Sequence, residues 1–169
     1  GGMGPGKTIL ALSVVMFLIW APLKAVGAES TFKCGAIPCD EFTADLSDKS
    51  SLQNGAKSFV NYCMGCHSAK YSRWDRVAKD LGIPADIAKD NLIHADQKFG
   101  ALMNISMPSD KAKAWFGATP PDLTLVARSR SPEWLYTYLR NFYSDPSRPL
   151  GVNNKVFKDV GMPHVLLDL

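Results

Sequence analysis

The residues best suited to chemistry lie in one short stretch, where two thiols are two residues apart and an imidazole follows directly. They are Cys63, Cys66 and His67. Thiols at this spacing on one helical turn match the separation of the two vinyl groups of a haem, and the adjacent imidazole can reach the iron. The pattern therefore predicts one covalently attached haem c, with His67 as an axial ligand.

Two other chemistries use the same residue types. One is a thioredoxin-like dithiol, but such a pair normally opens a helix after a strand, whereas this motif ends a helical pattern. The other is a zinc site in which Cys34 and Cys39 join Cys63 and Cys66. A zinc site in an exported protein would compete with disulfide formation, so haem attachment is favoured.

The remaining two cysteines, Cys34 and Cys39, enclose the flexible stretch Gly35-Ala36-Ile37-Pro38. This stretch could bring the two sulfur atoms within bonding distance in an oxidising compartment. We therefore predict a small disulfide loop, with two free thiols as the alternative.

A second axial ligand must come from further along the chain, where the candidate side chains are His94, Met103, Met107, Met162 and His164. Met162 is favoured because Gly161 and Pro163 would pin its loop, whereas His94 falls in a predicted helix and Met103 is expected to fill core. Met107, which precedes Pro108, is the nearest rival. A thioether ligand would stabilise ferrous iron, as suits an electron carrier, whereas an open position would favour ligand sensing or catalysis.

A helix is predicted to carry the thiols. Ser50 and Gln53 have the spacing of a capping box, which predicts that the helix begins at Ser50. Its apolar face is expected to consist of Leu52, Ala56, Phe59, Val60 and Cys63, which recur at intervals of three and four residues.

Further helices are predicted over residues 84–95, 110–116 and 122–129. The first would open at Pro84, the second would be capped by Ser109 and ended by Gly117. The clearest helix start is Ser131-Pro132-Glu133, with a cap, a proline at the first helical position and an acid at the positive end. Because no run of alternating residues indicates a sheet, the predicted fold is mostly α, with long loops.

The N-terminal 28 residues resemble an export leader. Lys7 precedes an apolar run from Ile9 to Trp20, and Val26-Gly27-Ala28 offers small residues for cleavage. This predicts a signal peptide over residues 1–28 and one domain over 29–169. An uncleaved membrane anchor is the alternative, although the run is shorter than the roughly 20 residues of a spanning helix. Gly1–Thr8 formally match a phosphate loop, but no strand precedes them, so nucleotide binding is not predicted.

The charge balance gives no support for a nucleic-acid partner. The net charge is +3, from 19 basic and 16 acidic residues. Without Lys7 and Lys24 in the leader, 17 basic residues remain against 16 acidic ones, a balance of +1. No basic stripe remains to bind nucleic acid.

An ordered set of segments, from about residue 45 to the end, resembles bacterial cytochrome c1, the haem subunit of the ubiquinol-cytochrome c reductase. The segments are Ser51-Leu52-Gln53-Asn54-Gly55-Ala56, Phe59-Val60-Asn61-Tyr62-Cys63, Cys66-His67-Ser68, Trp115-Phe116-Gly117, Pro120-Pro121-Asp122-Leu123 and Gly161-Met162-Pro163-His164.

The resemblance implies a cytochrome c-like helical haem domain. Cys63 and Cys66 would hold the haem, and His67 and Met162 would be its axial ligands. Pro121 would pack against the haem, and Arg130 would pair with a propionate. For that last role Arg128 remains an alternative, and Arg130 could instead be an ordinary exposed cation.

The resemblance also implies a membrane-associated complex in the bacterial inner membrane, with the haem domain on the periplasmic side. Its partners would be cytochrome b and the Rieske iron-sulfur protein, and electrons would pass to a soluble cytochrome c, without bond chemistry by this subunit. The alternatives are a haem-based sensor or peroxidase and a free small periplasmic cytochrome c. The long interval between His67 and Met162 disfavours the small cytochrome.

Two features depart from the family pattern. Trp74-Asp75 stands where the family more often has Tyr-Asn. In addition, Leu169 lies seven residues after Met162, whereas the family continues with a helix and a membrane anchor. We therefore expect the chain to be a fragment of a longer protein.

Overall fold

The computed structural model describes residues 33–94 and 96–169, so the predicted leader and the phosphate-loop match lie outside the described residues. Within these two ranges, no helix is both long and apolar enough to cross a membrane. The elements, in chain order, are α1 (Lys49–Ser58), a π-helical segment (Phe59–Cys63), β1 (Ala69–Arg73), α2 (Trp74–Leu81), α3 (Ala85–Asn91), β2 (Leu102–Met103), α4 (Ser109–Phe116), α5 (Val126–Ser129), α6 (Pro132–Arg140), β3 (Phe142–Ser144) and β4 (Val152–Asn154). This confirms the mostly helical fold with long loops.

The strands form two small antiparallel pairs. Ala69 of β1 lies opposite Met103 of β2, and Tyr143 of β3 lies opposite Asn153 of β4. Except for β1 they have only two or three residues each. Strands of two or three residues cannot display an alternating pattern, and the five residues of β1 do not alternate in burial, so the sequence does not predict these strands.

The main core lies behind the Cys63–Cys66 segment. Its buried members are Val60, Ala69, Trp74, Ala78, Ala88, Leu92 and Met103. Trp74 is only 4% exposed, and its indole N–H donates to Gln97 Oε1 at 2.8 Å. Met103 is also 4% exposed, which confirms the expectation that it fills core. Met64, between the two thiols, packs against this core and so fixes their backbone.

The predicted start of α1 is wrong. Asp48 is the cap, and its Oδ1 accepts the N–H of Ser51 at 3.0 Å, so the helix begins at Lys49. Aspartate is as good a helix cap as serine, and Asp48 stands two residues before Ser50. Gln53 does not close a capping box, because its side-chain amide instead donates to Leu81 O at 2.8 Å.

Two predicted helices are too long. The helix placed at 84–95 ends at Asn91, so His94 is not helical and lies exposed in the following loop. The helix placed at 122–129 covers only Val126–Ser129. Residues 122–125 are not helical, because the Asp122 carboxylate accepts the N–H groups of Lys70 and Thr124, which holds this segment against β1.

The remaining helix boundaries agree more closely with the sequence. Ser109 is the first residue of α4 rather than its cap, and Gly117 ends the helix with φ of 75°. The left-handed conformation is the one that glycine adopts without steric cost. At α6 the predicted cap is confirmed, because Ser131 Oγ accepts the N–H of Trp134 at 3.2 Å and Pro132 is the first helical residue.

The N-terminal described segment is fastened to α6 and to the chain after β4. Cys34 and Cys39 form a disulfide, which confirms the predicted loop. Gly35 has φ of +64°, and a Cβ there would lie 2.2 Å from the carbonyl oxygen of Val156. The N–H of Asp40 donates to Thr137 Oγ1 at 2.8 Å. The disulfide loop therefore packs directly against the segment that leads to Met162.

Candidate functional site

The two thiols follow a widened turn at the end of α1. The π-helical segment Phe59–Cys63 closes with the N–H of Met64 donating to Phe59 O at 3.1 Å. The N–H groups of Cys66 and His67 then both donate to Cys63 O, at 3.0 and 2.9 Å. One turn of backbone thus presents both sulfur atoms and the imidazole. Single π-helical turns of this kind are frequent at functional sites.

Both thiols are chemically available. Cys63 and Cys66 are free and half-buried, whereas Cys34 and Cys39 are joined to each other. Burial, and secondarily the nearby Cys66, raises the pKa of the Cys63 thiol. The four-thiolate zinc site is excluded by the Cys34–Cys39 bond. In the part of the chain that the structure describes, no group of three or more His, Cys, Asp or Glu side chains could hold a metal ion.

The imidazole of His67 is held in one tautomer. Its Nδ1 lies 2.7 Å from the carbonyl oxygen of Pro121. A carbonyl oxygen can only accept, so Nδ1 must carry the proton, and Nε2 of the neutral ring keeps its lone pair. A hydrogen bond from the second ring nitrogen is the usual way in which a protein orients a metal-binding histidine.

The loop that carries Pro121 is tied to the chain just after His67. Leu123 N–H donates to Ser68 O at 2.9 Å, and Lys70 N–H donates to Asp122 Oδ2 at 2.7 Å. Desolvation opposes the charge of Asp122, but hydrogen bonds from Lys70 and Thr124 outweigh it and lower the pKa of this carboxyl. The acceptor of His67 is therefore positioned by backbone contacts that span more than 50 residues of sequence.

A cavity opens beside Cys66 and Pro121, and its volume of about 450 Å³ lies within the usual range for cofactor sites. Its walls include Cys66, Ile105, Met107, Pro120 and Pro121. Two free thiols and an imidazole with an available Nε2 are the donor set that a covalent haem requires. The cavity next to Cys66 also carries polar side chains, among them Lys70, Asn104 and Asp122. The residues present therefore fit this cofactor.

The two methionine candidates for the second axial position lie in different surroundings. Met107 lines the cavity beside Cys66. Met162 is half-buried, and its Sδ accepts a hydrogen bond from the hydroxyl of Tyr138 at 3.3 Å. The sequence argument had not linked Tyr138 to Met162.

The segment before Met162 is organised by two buried asparagines. Asn154, only 1% exposed, donates from Nδ2 to Tyr138 O at 2.8 Å, and its Oδ1 accepts the N–H groups of Val156 and Phe157. Asn153 Oδ1 accepts the N–H of Asp159 at 2.9 Å. These bonds shape the turn that delivers Gly161 and Met162.

A row of stacked rings runs along α6 towards Met162. Trp134 and Tyr138 are stacked at 5.0 Å between centroids, and Phe142 meets Tyr138 edge-on at 5.3 Å. His164 stacks on Phe142 at 4.9 Å. The Arg130 guanidinium lies 5.2 Å from the Trp134 ring at the other end and is exposed. Burial raises the pKa of Tyr138 to about 12.

Sequence reasoning gives these rings no role at the site and overlooks both asparagines. The signal for Tyr138 was its position four residues after Trp134 and four before Phe142, which places the three rings on one helix face. For Asn154 the signal was an amide pair beside apolar residues in Val152-Asn153-Asn154-Lys155-Val156. A buried amide must find partners, which makes it a natural organiser of a loop.

Comparison with known proteins gives two strong similarities, although no protein-family model matches the chain. The chain is 50% identical over 158 residues to "Cytochrome c1" of Allochromatium vinosum. This chain is similar to a cytochrome c1. The alignment covers 94% of the chain and 63% of that relative.

The second similarity is to a protein with a different name. The chain is 48% identical over 130 residues to "Ammonia monooxygenase gamma subunit" of Nitrosomonas europaea, which covers 77% of the chain and 55% of that relative. The chain thus spans less than two thirds of the length of either curated relative.

Proposed function

We propose that this chain is an electron-transfer protein of the cytochrome c1 type, with one haem c bound covalently through Cys63 and Cys66. The observation that carries the proposal is the 2.7 Å contact between His67 Nδ1 and Pro121 O beside two free thiols. This contact leaves Nε2 of His67 available to iron. The 50% identity to a cytochrome c1 supports the same function.

In this proposal His67 and Met162 are the axial ligands, and the chain's own residues fix both groups. Pro121 O holds the imidazole in one tautomer. The Asn153 and Asn154 bonds set the turn before Met162, and Tyr138 binds the thioether. When bound, the haem would supply a one-electron couple, and a thioether together with an imidazole as ligands would favour its ferrous state.

Two further residues have proposed roles at the haem. Pro121 packs against the ring, which agrees with the contact between its carbonyl oxygen and His67 Nδ1. Arg130 pairs with a propionate. Its exposed guanidinium lies 5.2 Å from the centre of the Trp134 ring, at the start of the helix that carries Tyr138.

We further propose that the chain works in a membrane-associated complex of the bacterial inner membrane, with the haem domain on the periplasmic side. It would take electrons from the Rieske iron-sulfur protein, beside cytochrome b, and pass them to a soluble cytochrome c. The Cys34–Cys39 disulfide supports an oxidising compartment. Residues 1–28 would act as the leader for export and 29–169 as the haem domain.

The second candidate is the same haem chemistry in another assembly. The 48% identity to an ammonia monooxygenase gamma subunit favours a role beside the other subunits of such an enzyme. Purification from the host distinguishes the two assemblies.

Haem attachment is tested by expressing the chain together with haem-maturation machinery. Covalent haem should survive a denaturing gel and add its mass to the polypeptide. Cys63→Ala with Cys66→Ala should abolish this, whereas the matched pair Cys34→Ser with Cys39→Ser should keep it. A colourless wild type, or haem that washes out on denaturation, would contradict the proposal.

The assembly is tested by purifying the tagged full-length protein from membranes of its own host. Cytochrome b and a Rieske protein in the purified material support the first candidate. Subunits of an ammonia monooxygenase support the second. Recovery of a monomer from the soluble fraction would contradict both and favour a free electron carrier.

A further inference from the structure

Tyr138 touches the segment around Met162 at two separate points. Its hydroxyl donates to Met162 Sδ at 3.3 Å, and its backbone carbonyl accepts the side-chain N–H of Asn154 at 2.8 Å. Asn154 in turn binds the N–H groups of Val156 and Phe157. One residue of α6 therefore fixes both the turn that precedes Met162 and the sulfur atom itself.

The ring of Tyr138 has little freedom to turn away. Trp134 lies parallel to it, with 8° between the planes, and Phe142 meets it at 68°. These two contacts restrict the ring from two directions. The hydroxyl is thus directed at the thioether by packing, so the hydrogen bond costs little side-chain entropy to form.

A thioether sulfur has two lone pairs and is a weak acceptor. When a hydroxyl donates to one of them, the side chain is oriented with the other lone pair directed away from the phenol. The hydrogen bond also withdraws electron density from the sulfur, which makes it a poorer donor to a metal. Through both effects, a residue that does not itself bind the metal changes how well a ligand binds it.

We propose that Tyr138 is a positioning residue for Met162, holding its thioether in the orientation that ligates iron and weakening the electron donation of the sulfur. The inference rests on the proposed function, in which Met162 is the second axial ligand. Without the hydroxyl the sulfur becomes a stronger donor, which favours ferric iron and lowers the reduction potential.

The test uses the haem-loaded full chain with Tyr138→Phe, which removes only the hydroxyl. The matched control is Tyr136→Phe on the same helix. The hydroxyl of Tyr136 accepts a hydrogen bond from Arg140, and its ring stacks on Phe42. Each protein is equilibrated in a fixed redox buffer, and the ratio of ferrous to ferric haem is read from the spectrum. Tyr138→Phe should lower this ratio, and Tyr136→Phe should leave it at the wild-type value.

A second readout is the competition of added imidazole for the ferric iron. Tyr138→Phe leaves the thioether less well oriented, so a lower imidazole concentration should displace it than in the wild type or the control. If Tyr138→Phe matches Tyr136→Phe in both readouts, the positioning role is wrong. A purely structural role would lower the unfolding midpoint without moving the redox ratio.

The contact can also be tested without any variant. In the ferrous wild type, proton NMR should show a cross-relaxation contact between the Tyr138 ring and the Met162 methyl group. Its absence would overturn the inference, even if Tyr138→Phe did not fold. If Met162→Leu leaves the spectrum unchanged, the proposed ligation itself fails. If Met162→Leu changes the spectrum while Tyr138→Phe has no effect on the redox ratio, only the positioning role fails.

Discussion

The carbonyl oxygen of Pro121 accepts a hydrogen bond from His67 Nδ1 at 2.7 Å, across 54 residues of sequence. Pro121 keeps this position because the next residue, Asp122, accepts the backbone N–H of Lys70. The chemistry available at His67 therefore depends on a loop that the sequence places far away. Changes in this loop should affect the site without touching the thiols.

Asp122→Asn should destabilise the folded protein in a pH-dependent way. Hydrogen bonds from Lys70 and Thr124 outweigh burial and lower the pKa of the carboxyl in the folded state. Its stabilisation is therefore present above the ordinary value of 3.8 and is lost as the pH falls through the lower folded-state pKa. At pH 7 the variant should lose about 1 kcal/mol of unfolding free energy, because hydrogen bonds to the charged acceptor are weakened.

Urea unfolding of wild type and Asp122→Asn at pH 7 and at about pH 3 measures this effect. The difference between the two proteins should shrink at the lower pH, which lies below the ordinary pKa of 3.8, so that the carboxyl of the unfolded wild type is protonated. A difference that is equal at both pH values would mean that the charge of Asp122 has no part in holding the loop.

Gly35→Ala and Gly55→Ala should have opposite effects. At Gly35 a Cβ would lie 2.2 Å from Val156 O on a backbone with φ of +64°. The left-handed conformation alone costs an L-residue roughly 1–2 kcal/mol, and the clash adds to this. Gly55 lies within α1 with nothing within 4 Å of its Cβ, so alanine should stabilise by about 0.5–1 kcal/mol. Denaturant unfolding compares the two, and equal midpoints would contradict the packing of Gly35 on Val156.

Removal of the Cys34–Cys39 bond should lower stability by about 2 kcal/mol, the loop-entropy expectation for so short a loop. The double variant Cys34→Ser with Cys39→Ser should unfold at lower urea concentration than the oxidised wild type. Added reductant should lower the midpoint of the wild type only. If reductant lowered the midpoint of the serine variant by the same amount, the effect of the reductant would not arise from the Cys34–Cys39 bond.

Asn154→Ala should be among the more damaging changes outside the site. The substitution removes bonds to Tyr138 O and to the N–H groups of Val156 and Phe157, and it leaves buried backbone groups unpaired. A loss of about 2–4 kcal/mol is expected. Asn154→Asp keeps the acceptor but not the donor, so its free energy of unfolding should lie between those of Asn154→Ala and the wild type. If all three proteins unfold at the same urea concentration, the asparagine does not organise this turn.

Features that depend on neighbouring residues were readable from the sequence. The thiols and His67 form a contiguous motif, and Ser131-Pro132 caps α6 through a bond to Trp134, only three residues from Ser131. The disulfide loop closes over a sequence separation of five residues. Such short separations let residue type and spacing determine the geometry.

Two of the failures have one cause, a partner distant in sequence, whereas the start of α1 depends on Asp48, a cap only two residues from the predicted one. Residues 122–125 are not helical because Asp122 is held by Lys70, 52 residues away. The Tyr138–Met162 bond spans 24 residues, and no local pattern marks it. Such contacts arise only when the chain has folded, and for that reason the sequence does not connect the aromatic residues of α6 with Met162.

The central claim is a covalent haem with His67 and Met162 as axial ligands, and the visible spectrum of the haem-loaded protein tests it most directly. Wild type is compared with Met162→Leu and with the matched variant Met107→Leu, each before and after addition of carbon monoxide to the reduced form. We predict sharp low-spin bands for wild type and Met107→Leu, and a high-spin spectrum with carbon monoxide binding for Met162→Leu alone. A wild type that already binds carbon monoxide, or a change confined to Met107→Leu, would contradict the account.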